Sequence, residues 1–445
     1  MELTDLIPTF GNTLYTVGAF VIALSVIVAV HEYGHYIVGR WCGIKAEVFS
    51  LGFGPVLFKR TDRRGTQWQI AALPFGGYVK FLGDANAASD KASDVMDTLD
   101  DAERRHTMHG APLWARMLTV AAGPVFNFIL SILVFAGVIL STGVASDPLT
   151  VGQIRDVPAL QDHLRPGDEI LAIEGQETPD VADFRDYIEG LPVAETLDYT
   201  LRRDGEEVQT TGPYPYPALV SGLTAGSAAM EAGLESGDVI TAINGTPIVS
   251  FEELRVAVGE SDGSELTFSI WRDGETFDVG LTPRRMDLPL EDGGFETRWL
   301  IGITGGMVFE PMTETPGLLD AAEYGVSQTI FIVRSSLSGL WHMAKGAISS
   351  CNLRGPIGIA QTSGAAASQG LESFIWFIAV LSTAVGLLNL FPIPVLDGGH
   401  LVFHAYEAIT GKPPSDTALR ILMTVGLGLL LTLMVFALSN DLFCP

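Results

Sequence analysis

The chain has 445 residues, a mean hydropathy of +0.32 and only 18% charged residues, whereas soluble proteins carry about 25%. It is too long for one ordinary domain, and its apolar composition indicates a protein partly embedded in lipid. The formal net charge of −26 argues against a nucleic-acid partner, because phosphate binding needs clustered Lys and Arg. The three cysteines, Cys42, Cys351 and Cys444, are too few and too scattered for a disulfide framework or a cysteine-based zinc site.

Four segments are apolar and long enough to span a bilayer, which takes about 20 residues. They are residues 14–38, 114–140, 374–391 and 421–438. The N-terminus lacks the basic region and cleavage site of a signal peptide, so we expect the first segment to be retained. A weaker candidate at 324–344 carries Arg334 and His342, which favours an amphipathic or interfacial helix over a fifth span.

The first apolar segment contains an H-E-x-x-H motif formed by His31, Glu32 and His35. On a helix, positions i and i+4 share a face, so the two imidazoles can bind one metal ion while Glu32 reaches a water beside it. The alternative is a pair of histidines satisfied by backbone carbonyls. Titratable groups at membrane depth are costly and usually functional, which favours the metal site.

A β-hairpin is predicted directly after this segment. Residues 46–59 and 66–81 alternate in part between apolar and polar side chains, and the turn sequence DRRG separates them. Residues 84–110 are small and polar, which indicates a mobile linker.

The acidic segment between the second and third spans contains an internal repeat. Residues 164–188 match residues 234–258 at a constant offset of 70, and each copy carries the core G-D-x-I-x-A-I-x-G. This core predicts a turn, a short buried strand and a second turn, followed by a helix. The pattern resembles the PDZ domain in its bacterial, protease-associated form.

A third metal ligand is expected after the third span, in NLFPIPVLDGGH, because catalytic zinc usually has three protein ligands and one open position. Asp397 follows two prolines that prevent a regular helix, at a depth where broken backbone usually lines a cavity. His400 is a rival ligand, and with His404 it forms another i, i+4 pair, but no Glu follows it. A simple turn role for Asp397 is the remaining alternative.

The distribution of basic residues predicts the orientation in the membrane. The first and third loops hold the Lys and Arg close to span ends, namely Arg40, Lys45, Arg104, Arg105, Arg116, Lys412 and Arg420. These loops are therefore expected to face the cytoplasm, and the termini and the acidic segment the opposite side. If the first helix continues to Arg40, His35 and His31 lie about 7 and about 14 Å inside the charged edge.

Three motifs together resemble the site-2 protease family of intramembrane zinc metalloproteases: HEYGH, GPVFN and NLFPIPVLDGGH. The resemblance covers nearly the whole chain, including GFGP at 52–55, FGGYVK at 75–80 and RGPIGIA at 354–360, but is less clear at 84–110 and 285–350. It implies that His31, His35 and Asp397 bind zinc and that Glu32 is the general base.

The resemblance also implies substrate-positioning residues. Asn389, in the N-x-x-P-x-P motif with Pro392 and Pro394, resembles a residue that positions the substrate, although it could simply cap a helix. Gly76 and Gly77 resemble a hairpin edge that adds a strand to an extended substrate. A hairpin packed on the membrane face is the alternative.

The expected fold is a multi-pass α-helical membrane protein with four transmembrane helices, a cytoplasmic-side β-hairpin and two PDZ-like α+β domains between helices two and three. The helical segments are 1–41, 112–142, 372–400 with the LDGG motif, and 401–445 with a short cytoplasmic loop. The remaining segments are the hairpin and linker at 42–111, the PDZ-like domains at 143–214 and 215–286, and a post-PDZ region with an amphipathic helix at 287–371.

The expected function is hydrolysis of peptide bonds within single-span membrane segments of the lipid bilayer, in regulated intramembrane proteolysis at the bacterial inner membrane. The resemblance implies substrates like anti-sigma factors, trimmed first by a periplasmic protease, with remnant signal peptides as a further class. Zinc is the default metal for such a site, but iron or cobalt could substitute. The alternative is a non-enzymatic PDZ adaptor with a structural metal site, for which Glu32 would have no use. A metal transporter would distribute its ionisable groups along a path, whereas here they cluster at one depth.

Overall fold

The computed structural model describes residues 3–84, 99–158, 164–224, 226–290 and 294–444, with the side chains of the first helix from Thr13 onward. The helices are α1 Leu3–Trp41, α2 Asp101–Arg104, α3 Leu113–Thr142, α4 Phe184–Glu189, α5 Ala228–Glu231, α6 Phe251–Gly259, α7 Leu318–Ala344, α8 Pro356–Ser368, α9 Leu371–Asn389, α10 Asp397–Thr410 and α11 Asp416–Phe443. Short 3₁₀ turns occur at Val181–Asp183 and Ser350–Asn352.

The strands are β1 Ala46–Thr61, β2 Gln67–Phe81, β3 Val144–Ala145, β4 Val151–Ile154, β5 Glu169–Ile173, β6 Gln176–Glu177, β7 Thr196–Arg203, β8 Glu206–Pro213, β9 Val220–Leu223, β10 Val239–Ile243, β11 Thr246–Pro247, β12 Leu266–Arg272, β13 Glu275–Leu281, β14 Arg284–Pro289, β15 Phe295–Leu300, β16 Ile303–Gly305, β17 Phe309–Pro311 and β18 Thr313–Glu314. The chain forms two compact units, one of Met1–Val138 with Leu319–Pro445, the other of Ile139–Leu318.

Among the described residues, four helices are long and apolar enough to cross a membrane: Thr13–Trp41, Leu113–Thr142, Leu371–Asn389 and Asp416–Phe443. The four predicted apolar segments are thereby confirmed as helices of sufficient length and hydropathy to span a bilayer. Helix α7 does not meet the same measure of length and composition, in agreement with the preference against a fifth span. Its interfacial position stays a prediction.

Small and polar residues join the spanning helices in the first unit. A Cβ placed at Gly34 would lie 2.5 Å from the Ala122 carbonyl oxygen, so α1 and α3 approach closely there. Ser131 on α3 hydrogen-bonds to the Ala379 carbonyl on α9 at 2.8 Å, and both residues are fully buried. Such contacts hold helices together in lipid, where apolar burial gives no preference for one helix surface over another.

The predicted hairpin is present as β1 and β2, but it differs from a simple two-stranded hairpin, because part of β1 pairs with two segments of β2. Residues 48–51 pair on one side with 77–80 and on the other with 67–70, while 56–61 pair with 67–71. The two bent strands therefore make four paired segments, with 77–81 at one edge of the described sheet. Residues 48–51 run antiparallel to 77–80 and parallel to 67–70. A cluster of Tyr36, Phe49, Val79 and Phe81 fixes this sheet on the end of α1.

Part of the predicted linker packs against the hairpin. Lys45 donates its main-chain N–H to the His106 carbonyl at 2.9 Å, and the Met108 N–H donates to the Leu82 carbonyl at 3.3 Å. Met108 is buried. The prediction of mobility for residues 85–98 falls outside the described residues.

The repeat in the acidic segment produces two sheets with the same strand order, β6-β5-β7-β8 and β11-β10-β12-β13. Buried Asp168 pairs with Arg203 at 2.7 Å, and buried Asp238 pairs with Arg272 at 2.6 Å, at equivalent positions. Burial alone would raise the pKa of Asp168, but the hydrogen bond from Arg203 holds it below its usual value. The structure thus confirms the repeat, while the PDZ assignment stays a prediction.

Residues 303–314 form short strands that the sequence did not predict. Strand β16 pairs with β9, β17 with β4, and β18 with β3, all antiparallel. The first part of the predicted post-PDZ region is thus built into the second unit.

The structure contains a disulfide that the sequence analysis did not expect. Cys351 and Cys444 form a disulfide across 93 residues, with Cα atoms 5.6 Å apart. The expectation from cysteine number and spacing gave no hint of it, because only the tertiary structure brings the end of α11 to the 3₁₀ turn. Asn440 reinforces this connection by donating to the Ser350 carbonyl at 2.7 Å.

Candidate active site

The H-E-x-x-H motif lies on α1, and the loop between α9 and α10 brings Asp397 to it. The proline-rich sequence ends α9 at Asn389, and α10 begins at Asp397 itself. A Cβ at Gly398 would lie 2.3 Å from the Leu390 and Phe391 carbonyl oxygens, so only glycine permits this tight approach.

Three side-chain atoms converge at the centre. The His31 and His35 Nε2 atoms are 3.2 Å apart, and they lie 3.1 and 3.5 Å from Asp397 Oδ2. Ligands of a tetrahedral ion bound at 2.0–2.2 Å stand roughly 3.3–3.6 Å apart. Asp397 Oδ2 is buried and has no hydrogen-bond partner among the described residues. These distances and this oxygen fit a metal ion, and within the described residues no other such group of ligands occurs.

Glu32 faces the same centre from one residue beyond His31. Val79 on β2 lines the same cavity as Glu32, and a Cβ at Gly77 would lie 3.0 Å from Glu32 Cγ. The hairpin edge therefore passes directly beside this carboxylate. Both Glu32 and Gly77 line a cavity of about 400 Å³ that also contains the His/His/Asp centre.

Two groups on α3 contact the other ring nitrogens of the histidines. His35 Nδ1 lies 2.8 Å from the Thr119 carbonyl oxygen, which can only accept its proton and so leaves the Nε2 lone pair for a metal. His31 Nδ1 lies 3.2 Å from the Asn127 side-chain amide. A Cβ at Gly123 would lie 2.3 Å from His35 Nε2, so α3 can approach only because residue 123 is glycine.

A family model described as peptidase family M50 matches residues 19–433. The chain belongs to peptidase family M50. This is the site-2 protease family, so the resemblance expected from the motifs is confirmed.

Curated relatives agree with this assignment over nearly the full chain. A protein named as a zinc metalloprotease from Agrobacterium fabrum is 35% identical over 427 residues, 95% of this chain and 94% of that protein. The regulator of sigma-E protease RseP of Salmonella typhimurium is 33% identical, covering 97% of this chain and 99% of its own length. The regulator of sigma E protease of Haemophilus influenzae is also 33% identical, and the match covers 96% of this chain and 98% of that protein. This M50 protein is accordingly a membrane zinc metalloprotease of the site-2 type.

The other predicted site residues lie at different distances from the centre of the M50 site. Asn389 and the rival ligand His400 line the cavity, but His400 is outside the group of three converging ligand atoms. Pro394 packs against α11, where a Cβ at Gly426 would lie 2.9 Å from it. Pro392 lies in the loop before α10, and Gly76 lies against the Phe53 ring, which a Cβ at residue 76 would meet at 2.5 Å.

Sequence reasoning missed the groups of α3 around the centre. Thr119 acts through its main chain, so its side-chain identity carries no signal. Asn127 lies in the GPVFN motif, which supported the resemblance without indicating a role. Arg116 forms a bidentate pair with Glu407 on α10. Burial and this nearby Arg116 cation lower the pKa of His404 to about 4, so its imidazole is neutral at physiological pH.

Proposed function

We propose that this M50 protease hydrolyses peptide bonds within single-span membrane segments, with His31, His35 and Asp397 holding Zn²⁺ and Glu32 acting as general base. The observation that carries the proposal is the group of three ligand atoms beside a carboxylate, inside a cavity reached by a membrane-spanning helix. When bound, zinc would polarise the scissile carbonyl and acidify water. Glu32 would take a proton from the attacking water and deliver it to the leaving amine nitrogen.

The hairpin edge would hold the substrate in an extended form. Among the described residues, 77–81 pair with a strand, β1, on one side only, and Gly77 stands against Glu32. An unwound substrate segment could add to this edge as a further strand, with its main chain fixed by hydrogen bonds. Asn389, at the end of α9, lines the same cavity and would contact the same segment. Both roles are part of the proposal.

The cysteines support the proposed orientation in a bacterial inner membrane. Disulfides persist in oxidising compartments such as the periplasm. The Cys351–Cys444 bond lies at the C-terminal end of α11, whereas unpaired Cys42 follows α1 in the basic first loop. This distribution favours an orientation in which the C-terminus and the acidic repeats face the periplasm. The hairpin would then face the cytoplasm. The zinc centre would then lie towards the cytoplasmic face.

The substrates would be single-pass proteins like anti-sigma factors, shortened first by a periplasmic protease. Relatives from Haemophilus influenzae and Salmonella typhimurium carry the name regulator of sigma-E protease. The two acidic repeats would lie on the side where such trimming takes place. The repeats, as PDZ-like domains, would admit the shortened substrate to the cavity. Remnant signal peptides are a second class with the same single-span character.

Substitution Glu32→Gln tests the proposal. The purified variant should contain the same amount of zinc as the parent but should not cleave a trimmed single-span anti-sigma substrate in detergent or liposomes. Glu372→Gln, an exposed site in the first turn of α9, is the matched control and should cleave normally. Cleavage by the Glu32→Gln variant would refute the catalytic assignment. A parent that binds zinc yet cleaves no single-span substrate would favour the adaptor alternative.

A further inference from the structure

Asn127 is a fully buried polar residue on α3 whose side chain is satisfied on one side only. Its Nδ2 lies 3.2 Å from His31 Nδ1. Its Oδ1 has no hydrogen-bond partner among the described residues. A buried amide oxygen without a donor is costly, by about 1–3 kcal/mol, so this arrangement calls for a functional explanation.

The two orientations of an Asn amide suit the two tautomers of a neutral imidazole. Asn127 Nδ2 can only donate, so a hydrogen bond to His31 Nδ1 at 3.2 Å requires an unprotonated Nδ1 and leaves the proton of a neutral His31 on Nε2. A His31 that gives its Nε2 lone pair to a metal must carry the proton on Nδ1 instead. That N–H needs an acceptor, and a half-turn of the amide supplies Oδ1.

We propose that Asn127 is a positioning residue for the metal centre, which accepts the Nδ1 proton of His31 and so directs the His31 Nε2 lone pair to the zinc. The inference rests on the proposed function, because it assumes that His31 is a ligand. His35 needs no such residue, since the Thr119 carbonyl oxygen 2.8 Å from its Nδ1 is an acceptor in any state. Asn127 is therefore the side chain on which the tautomer of this pair of ligands depends.

The residues around Asn127 fix its position relative to the His31 ring. The Ser382 hydroxyl on α9 and the Ser131 hydroxyl on α3 each lie 3.0 Å from the Asn127 main-chain oxygen. A Cβ at Gly386 on α9 would lie 3.1 Å from Asn127 Cβ, so the neighbouring helix leaves no room for displacement. Only rotation of the amide about its own axis remains, which is the movement that the change of tautomer requires.

The test measures zinc affinity of the purified full chain by competition with a chelating dye, with Zn²⁺ alone as the probe. Asn127→Leu keeps the volume but removes the acceptor, and should weaken zinc binding about 10–100-fold. Asn127→Asp keeps an acceptor of the same shape and should bind zinc at least as tightly as the parent. Asn440→Leu removes another buried Asn, on α11, and should leave zinc affinity unchanged.

Parental affinity in Asn127→Leu would overturn the inference. An equal loss in Asn127→Leu and Asn127→Asp would also overturn it, because packing alone would then explain both. If Asn127→Leu does not fold, Asn127→Asp decides, since a loss of zinc there contradicts the role and retained zinc supports it. The readout is binding and not cleavage, so an inactive parent that binds zinc would refute the proposed protease without affecting this result.

Discussion

Arg116 on α3 and Glu407 on α10 form a bidentate ion pair, with Nη1–Oε2 and Nη2–Oε1 distances of 3.0 and 2.7 Å. The side chains are only 15% and 17% exposed, so each charge depends on the other for compensation. Helix α10 begins with Asp397. The pair therefore fastens the helix that presents the third ligand to the helix that contacts both histidines.

Removal of one partner should destabilise the protein strongly. Glu407→Met is expected to lower the free energy of unfolding by about 3 kcal/mol, because Arg116 would be left largely buried without its carboxylate. The double variant Arg116→Met, Glu407→Met should recover most of this loss. Thermal unfolding in detergent measures the effect. A double variant less stable than Glu407→Met would show that the charges themselves, and not their pairing, stabilise the contact.

Metal content separates the two candidates for the third ligand. Asp397→Ala should abolish stoichiometric zinc binding, because the ligand oxygen 3.1 and 3.5 Å from the two imidazoles is lost. His400→Ala, which alters the cavity wall but not this group, should retain one zinc per chain. Elemental analysis of the purified proteins gives both values. Loss of zinc from His400→Ala alone would reverse the assignment.

Gly123 offers a steric test of the contact between α3 and the imidazoles. In Gly123→Ala the new methyl group would meet His35 Nε2 at 2.3 Å, and the helix or the ring must move. Displacements near 1 Å can cost about 100-fold in rate, so we expect a loss of proteolysis of that order. Gly137→Ala on the same helix is the control, since no atom of the described residues lies within 4 Å of its new Cβ. Equal activity of the two variants would contradict the close packing.

The contrast between local and distant relationships explains which of these features the sequence could predict. The pairing of His31 with His35 follows from helix periodicity, and the position of Asp397 from the prolines that end α9. The spans, the hairpin and the duplicated sheet likewise rest on local patterns. By contrast, Arg116 and Glu407 are separated by 291 positions, and Cys351 and Cys444 by 93. No local sequence pattern identifies partners so far apart in the chain. Strands of two or three residues, such as β16 and β18, are too short to show an alternation of apolar and polar residues.

The cysteines allow the proposed orientation to be tested in intact cells. A membrane-impermeant maleimide should label none of the three cysteines, because Cys351 and Cys444 are bonded and Cys42 would face the cytoplasm. After treatment with an impermeant phosphine reductant, Cys351 and Cys444 should react while Cys42 remains unlabelled. Detergent lysis should then expose Cys42, which is only partly buried, and a Cys42→Ser variant identifies its signal. Labelling of Cys42 in intact cells without reductant would place the hairpin and the zinc centre on the opposite side of the membrane.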